Sequence, residues 1–582
     1  HHETHADAAE ASAAAVKAGC DLECGSSYAA LVEAVKRGLI TEAEIDRSVE
    51  RLMVAKFEMG LFEKEDPYNT PYSVVDCEAH RALAKKAAIE SFVLLQNRGN
   101  ILPLDKSKKV AIVGPNANNE EMQWANYNGT PSYVITLKEG LEALLGADKV
   151  VYEPLCDYTD VTTFETLTAY CSADGKPGFK ATYWNNLDFE GAPAATDQIA
   201  RPINFSTAGN TVVAPGVNLS AFTARYETTF KPEETGHAVF FGSSNETMRI
   251  YVNGELLADK TNVKTASAIC EFDYELGATY DIKIEFAGYR HRMDPYFHLD
   301  LAQRVPQNIP AFVEKIKDVD VVIFAGGIWA RLEGEEMAVS APGFRGGDRD
   351  DIELPAIQRE TIAALKEAGK QVVLVNFSGS AMALEPETEN CDAILQAWYP
   401  GQEGGSALAD VLYGEAAPSG KLPITFYRNV NQLPDFEDYN MKGKTYRYFE
   451  GDPLFRFGHG LSYTKFGYGK LTSDKRTLKA GEKLYVTIPV ENIGAREGEE
   501  IVQLYIQRPA DKEGPIQALR DYRRVKLAAG ASEAVVFELT EEDFAWFNPE
   551  TNRMQPLKGS YIIRVGGTSD LEAQRTLKVT LR

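Results

Sequence analysis

From about residue 78 the apolar residues fall into short aliphatic runs that end in glycine or proline. KKVAIVGPNA (108–117), DVDVVIFAGG (318–327), KQVVLVNFSG (370–379) and CDAILQAWYPG (391–401) each read as a strand buried on both faces. Stretches of helical period such as LPAIQRETIAALKEAG (354–369) lie between them. This alternation predicts an α/β layer with a parallel sheet, in which ligands gather at the carboxyl ends of the strands. Between about 172 and 304 the period changes to two, with many Thr, Tyr, Phe and Asn residues and turn signals roughly every 8–12 residues. RIYVNGELL sets Asn253-Gly254 between two β-prone runs, a strong hairpin signal. An all-β module is therefore expected as an insertion in the α/β domain, with Tyr183, Trp184 and Tyr289 as its candidate ligand-contacting aromatics. Period two returns at 466–582, in KLYVTIPVENIGAREGEEIVQLYIQRP and EAVVFELT, and predicts a small β-sandwich.

Residues 1–62 read as two or three helices around a strand-like CDLEC. Thr4 with Asp7 predicts a capping box for the first helix, and Gly19 its stop. Thr41 with Glu44 predicts the same for a second, whose face carries Ile45, Val49, Leu52, Met53 and Phe57 before Gly60. So apolar a face needs a partner, and 62 residues do not supply a whole domain. The chain thus reads as starting inside a domain, followed by a linker at 63–77 with Pro67 and Pro71.

Composition narrows the possible functions. At 582 residues the chain is too long for one core and implies two to four domains. No apolar run approaches the ~20 residues of a membrane span. Lys plus Arg is 61 and Asp plus Glu is 85, so the net charge is 61 − 85 = −24, which disfavours nucleic acid and anionic membranes as partners. The seven cysteines, apart from the close pair Cys20 and Cys24, show no zinc spacing and read mostly as buried thiols. The eight histidines include no HExxH cluster, so neither metal nor cofactor is expected. Neither the compartment nor homo-oligomerisation is legible.

Chemistry concentrates in GGIWARLEGEEMAVSAPGFRGGDRDD (326–351). Strand-to-helix connections usually take about 2–6 residues, so a loop this long is a functional candidate. It gathers Glu333, Glu335, Glu336, Asp348, Asp350 and Asp351 near Arg331, Arg345 and Arg349. One reading is a solvated acidic loop braced by its own arginines. The other is a sugar pocket, for which Trp329 beside carboxylates would supply an apolar platform and a proton donor.

Three further segments, AWYPGQEGGSALADVLYGEAAPSGKLPITF (397–426), TYRYFEGDPLFRFGHGLSYTKF (445–466) and VENIGAREGEEIVQLYI (490–506), follow in this order. Together they resemble the carboxyl-terminal half of glycoside hydrolase family 3, the β-glucosidase and β-xylosidase family. The resemblance implies a multidomain α/β plus β fold: 1–62 as the end of a (β/α)8 barrel, 63–77 a linker, and 78–171 and 305–433 an α/β sandwich. It further implies a protective-antigen-type β module at 172–304, a linker at 434–465 and a fibronectin type III-like domain at 466–582. It implies a retaining β-glycosidase acting on terminal β-glucosyl or β-xylosyl residues, without cofactor. Aligning LEGEEM…GGDR with the family pattern puts the acid/base at Glu335, with Glu333 and Glu336 as rivals. Glu333, Trp329 and Trp124 are candidate substrate contacts, Trp124 (just ahead of YNGTPS, 127–132) being equally compatible with core packing. Arg349 and Asp348 brace the loop. The family's nucleophile, an Asp in a Ser-Asp-Trp or Ser-Asp-Cys segment, is expected upstream of His1. The DLECG element, with Cys24, leans toward the β-xylosidase branch. The rival reading is a non-catalytic carbohydrate-binding or scaffolding fragment, or one piece of a split enzyme.

Overall fold

The computed structural model describes residues 4–65, 69–126, 128–129, 131–207, 211–289, 294–334, 339–346 and 348–582, with no side-chain description for 264–266 and 348. It divides into two compact units, His1–His80 and Arg81–Arg582.

In the first unit Asp7 alone caps the helix Ala8–Lys17, accepting from the amides of Ala9 and Glu10 at 3.0 Å. The expected box with Thr4 does not form; Asp7 is held instead by Arg37 at 2.7 Å. The helix stops at Gly19, whose φ of 101° suits glycine. Helix Glu42–Glu58 has the expected Thr41–Glu44 box. Ile45 packs on a small core of Ala9, Ala13, Val16, Ala34 and Ile40. Further along the expected stripe Val49, Met53 and Phe57 are exposed, Phe57 at 63%. CDLEC forms no strand, because its backbone finds no ladder partner. Cys20 and Cys24 are exposed free thiols and Cys77 and Cys270 are half-buried, so the burial expected of most of the seven holds for Cys156, Cys171 and Cys391 alone.

The second unit is built on a six-stranded sheet. We number its strands β1 (Val93–Asn97), β2 (Val110–Val113), β3 (Val150–Tyr152), β4 (Val321–Gly327), β5 (Gln371–Phe377) and β6 (Ala393–Gln396). The spatial order is β1-β6-β5-β4-β2-β3. Neighbours are parallel except β1, which runs antiparallel to β6. The four aliphatic runs are β2, β4, β5 and β6; β2 is fully buried, and both faces of the sheet are covered by separate apolar clusters.

An eleven-stranded β module, spanning Thr162–Thr166 to Tyr296–Pro306, interrupts this domain. Its first and last strands pair antiparallel, Thr166 opposite Ala302 and Pro306 opposite Thr162, so the chain leaves and re-enters side by side. The module thus starts before residue 172, where the short TTFET strand carries too little pattern to be read. Asn253 and Gly254, with φ of 50° and 82°, form the expected hairpin turn joining Gly236–Val252 to Glu255–Tyr274. Tyr183 and Trp184 are buried in the module, which removes them as sugar-contacting surface; Tyr289 is exposed.

Within the module Asp300 accepts from the Thr166 and Thr168 hydroxyls at 2.8 and 3.2 Å, and burial pushes its carboxyl up to about 6. The folded value lies above the unfolded one, so the native state holds the extra proton between about pH 4 and 6, and stability falls as pH rises through that window. Asp300→Asn is expected to raise stability at pH 7 by up to about 3 kcal/mol and to leave it unchanged below about pH 4, as read from urea unfolding at both pH values.

Residues from Phe466 onward form four- and five-stranded sheets around Val490, Leu504, Phe537, Trp546 and Tyr561. The GKLPITF and FGHGLSYTKF motifs fasten the β1 edge. Leu422 donates to the His459 carbonyl at 2.8 Å, Leu461 to Leu94 at 2.8 Å, and the His459 ring bonds the Leu95 carbonyl at 3.0 Å. Burial lowers the His459 pKa, so the ring is a neutral structural donor. A Cβ on Gly460 would meet the Gly420 carbonyl at 2.2 Å and one on Gly420 the Phe92 carbonyl at 2.5 Å, which explains glycine in both motifs.

Candidate active site

The chain steps from β2 to β3 on one side of the sheet and through β4, β5 and β6 on the other. The crevice of such a sheet lies where that direction reverses, between the loops that follow β2 and β4. There the two backbones touch. Gly114 has φ 96°, and a Cβ on it would fall 2.5 Å from the Ala325 carbonyl oxygen. Asn116 donates its amide to Ala325 O and its Nδ2 to Gly326 O, both at 3.0 Å, and accepts from the Tyr158 hydroxyl. Tyr158 stacks on Trp329 with centroids 5.5 Å apart. Gln358 clamps the same turn, accepting from the Gly327 amide at 2.8 Å and donating to the Tyr158 carbonyl at 3.0 Å.

After β4 the chain makes one helical turn, Ala330–Glu333, closed by Gly334 with φ 71°. The turn delivers the Glu333 carboxylate to the loops after β5 and β6. Ser380 Oγ donates to Glu333 Oε1 at 3.2 Å, and the Tyr399 hydroxyl to Oε2 at 3.0 Å. Gly379 makes room, because a Cβ there would press the Tyr399 ring at 3.0 Å. Burial, then the Glu333 charge, raises the Tyr399 phenol far above its ordinary value, so it remains a donor. A buried polar chain supports Ser380. Asn376 donates to Gln396 at 2.6 Å, Gln396 to Ser378 Oγ at 3.1 Å, and Ser378 to the Ser380 carbonyl at 2.8 Å.

Arg349 closes the cluster. Its Nε donates to Asp351 O at 3.0 Å and its Nη1 to Ser380 Oγ at 2.9 Å and Ala381 O at 3.3 Å. Burial pulls its guanidinium below the ordinary value, and the charges of Glu333 and Asp351 oppose that shift. Arg345, by contrast, is exposed and pairs with Asp350 at 3.2 Å. Arg331 pairs with Glu121 at 2.9 Å, tying the loop to the short turn Glu121–Trp124. The Arg331 guanidinium also lies 5.8 Å from the Trp329 ring centroid and 6.0 Å from that of Tyr296, on the β module's last strand. Nearby on that strand is His298, whose pKa burial lowers.

The expected residues are thus placed as follows. Glu333 is fixed by three loops. Trp329 is packed between Tyr158 and Arg331. Trp124 ends the turn that Arg331 anchors, and its indole Nε1 is buried with no partner among the described residues. Glu335, Glu336, the Asp348 side chain, Tyr127 and Thr130 lie outside the described residues. Ser380, Tyr399, Tyr158 and Glu121 are absent from the sequence-based expectations; all four lie in connections that follow a strand's carboxyl end, which is the signal that could have found them.

Residues 92–463 match the description "Glycosyl hydrolase family 3 C-terminal domain", and residues 500–569 match "Fibronectin type III-like domain". A protein named xylan 1,4-beta-xylosidase from Xylanibacter ruminicola is 44% identical over 590 residues, covering 100% of this chain and 68% of its own length. A beta-glucosidase from Rhizobium radiobacter is 30% identical over 598 residues, covering 95% of this chain and 69% of its own. The beta-glucosidase of Kluyveromyces marxianus, solved in complex with glucose, shares the fold with a TM-score of 0.74 at 24% identity, over 98% of this chain and 72% of that one. The family match and these relatives define a glycoside hydrolase. The chain belongs to glycosyl hydrolase family 3.

Proposed function

We propose that this chain serves a retaining, exo-acting β-glycosidase that removes terminal non-reducing β-D-xylosyl units in preference to β-D-glucosyl ones, with Glu335 as acid/base. The observation that carries this reading is the anchorage of Glu333. A carboxylate held by Ser380 and Tyr399 at the carboxyl edge of the sheet sets the start of the segment bearing Glu335. Glu335 protonates the departing glycosidic oxygen and then deprotonates water. The partner carboxylate, about 5–5.5 Å away as retention requires, comes from a Ser-Asp-Trp or Ser-Asp-Cys segment of the family's barrel. Residues 1–62 are its closing helices in this reading. Glu333, fixed and two residues from Glu335, supplies a negative field that holds the donor's proton near neutral pH. Trp329 and Trp124 wall the pocket, and no metal or cofactor is needed for the two-carboxylate chemistry.

The β module is read as protective-antigen-type, and its last strand, through Tyr296 and His298, walls the leaving-group side. Xylose is favoured over glucose because the relative at 44% identity carries the xylosidase name, and DLECG agrees. The polypeptide that carries this sequence is expected to hydrolyse 4-nitrophenyl β-D-xyloside with kcat/KM at least about tenfold above that for the glucoside, which differs by one hydroxymethyl group. A reversed ratio would overturn the xylosyl assignment.

A further inference from the structure

A cleft of about 500 Å³ in the carboxyl-terminal β domain is lined by Lys470, Arg476, Arg575 and Lys578 together with Tyr468, and by no carboxylate. In a chain of net charge −24 this is a local reversal of sign. None of the four cations has an acidic partner within salt-bridge distance among the described residues, whereas the adjacent Lys475 pairs with Glu482 at 3.7 Å. Both guanidinium groups are already oriented by backbone carbonyls. Arg575 Nε and Nη2 donate to Tyr468 O at 3.1 and 3.0 Å, and Arg476 Nη1 donates to Lys578 O at 3.3 Å. Arg575 Nη1 and Arg476 Nε and Nη2 have no protein acceptor among the described residues. Four like charges in one cleft repel each other, and an anionic ligand relieves that repulsion.

We infer that this cleft binds the carboxylate substituents of an acidic polysaccharide, a xylan-like glycan bearing uronic acids. The fixed guanidiniums suit planar carboxylates, which accept two parallel hydrogen bonds. The volume suits one or two sugar rings, with Tyr468 as an aromatic wall. A dense phosphate polymer, with one charge about every 1.7 Å along a duplex, is repelled by the rest of this acidic surface. Sparse carboxylates on a neutral backbone are admitted. The lining of this cleft shares no residue with the candidate active site; the xylan-like backbone rests on the proposed xylosyl reading, whereas the carboxylate preference rests on the cationic lining alone.

The test is affinity electrophoresis of the protein through gels containing glucuronate-bearing xylan or neutral arabinoxylan, with duplex DNA as a competitor. Retardation is expected in the uronate-bearing gel, with at least about tenfold tighter apparent binding than in the neutral one, and its loss at about 0.5 M salt. Lys470→Glu with Lys578→Glu should abolish it. Lys317→Glu with Lys442→Glu, an equal charge change elsewhere, should preserve it. All four lysines are exposed, so folding is not at issue. Equal retardation in both gels, retardation that survives the cleft variant, or stronger competition by DNA would each overturn the assignment. Hydrolysis of an aryl glycoside, measured in parallel, should be unchanged by the cleft variant. Loss of that activity in the parent with retardation intact would strike the catalytic reading and leave this one standing.

Discussion

Glu335→Ala is expected to lower kcat/KM for xylobiose by about 10²–10⁴-fold, the usual contribution of a positioned general acid. With 4-nitrophenyl β-D-xyloside, whose leaving group departs without a proton, formation of the glycosyl-enzyme should lose at most about tenfold. The asymmetry follows from the role. A residue that merely holds the loop in place would, when removed, damage both substrates alike. Glu335 sits two residues beyond a carboxylate locked by Ser380 and Tyr399, so the alanine variant leaves the loop's anchor intact. Equal losses on both substrates would move the acid/base role away from Glu335.

Arg349→Met is the variant expected to cost most in stability, about 3 kcal/mol, with activity lost on both substrates in the same proportion. Arg349 joins Asp351, Ser380 and Ala381 through three hydrogen bonds to carbonyls and a hydroxyl. Methionine keeps most of the volume but leaves two carbonyls unsatisfied and frees Ser380 from one of its two fixed partners. Glu333 and Asp351 also lose the nearby positive charge that offsets theirs. Arg349→Lys should recover only part of the loss, since one ammonium cannot reproduce the planar fork. Urea unfolding together with kinetics on both substrates separates this outcome from that of Glu335→Ala. An unchanged unfolding midpoint would show that Arg349 does not brace the loop.

How much of this was legible in the sequence depends on the scale of the pattern. β2, β4, β5 and β6 were readable because strands buried on both faces are continuously aliphatic and punctuated by glycine. β1 was not, since VLLQN is short and follows a helix directly. The Asn253-Gly254 hairpin was readable because two consecutive positive-φ residues demand those side chains. The module's true start at Thr162 was not, because its first strand is defined by pairing with Tyr296–Pro306, more than a hundred residues away. The acidic loop announced itself by length and charge, yet the residues that fix Glu333 come from two other loops. Ser380 and Tyr399 meet it only because β4, β5 and β6 lie side by side. GKLPITF and FGHGLSYTKF carried the family resemblance, and in the structure they fasten the sheet edge rather than touch the candidate site.

The central claim is that the loop after β4 supplies the proton donor of a retaining β-glycosidase through Glu335. It is tested most directly by the ratio of kcat/KM for xylobiose to that for 4-nitrophenyl β-D-xyloside in three single variants, Glu333→Gln, Glu335→Gln and Glu336→Gln. The ratio is expected to collapse by at least about a hundredfold in Glu335→Gln and to stay within about tenfold of the parent in the other two. A collapse in Glu333→Gln or Glu336→Gln instead, or in none of the three, would contradict it.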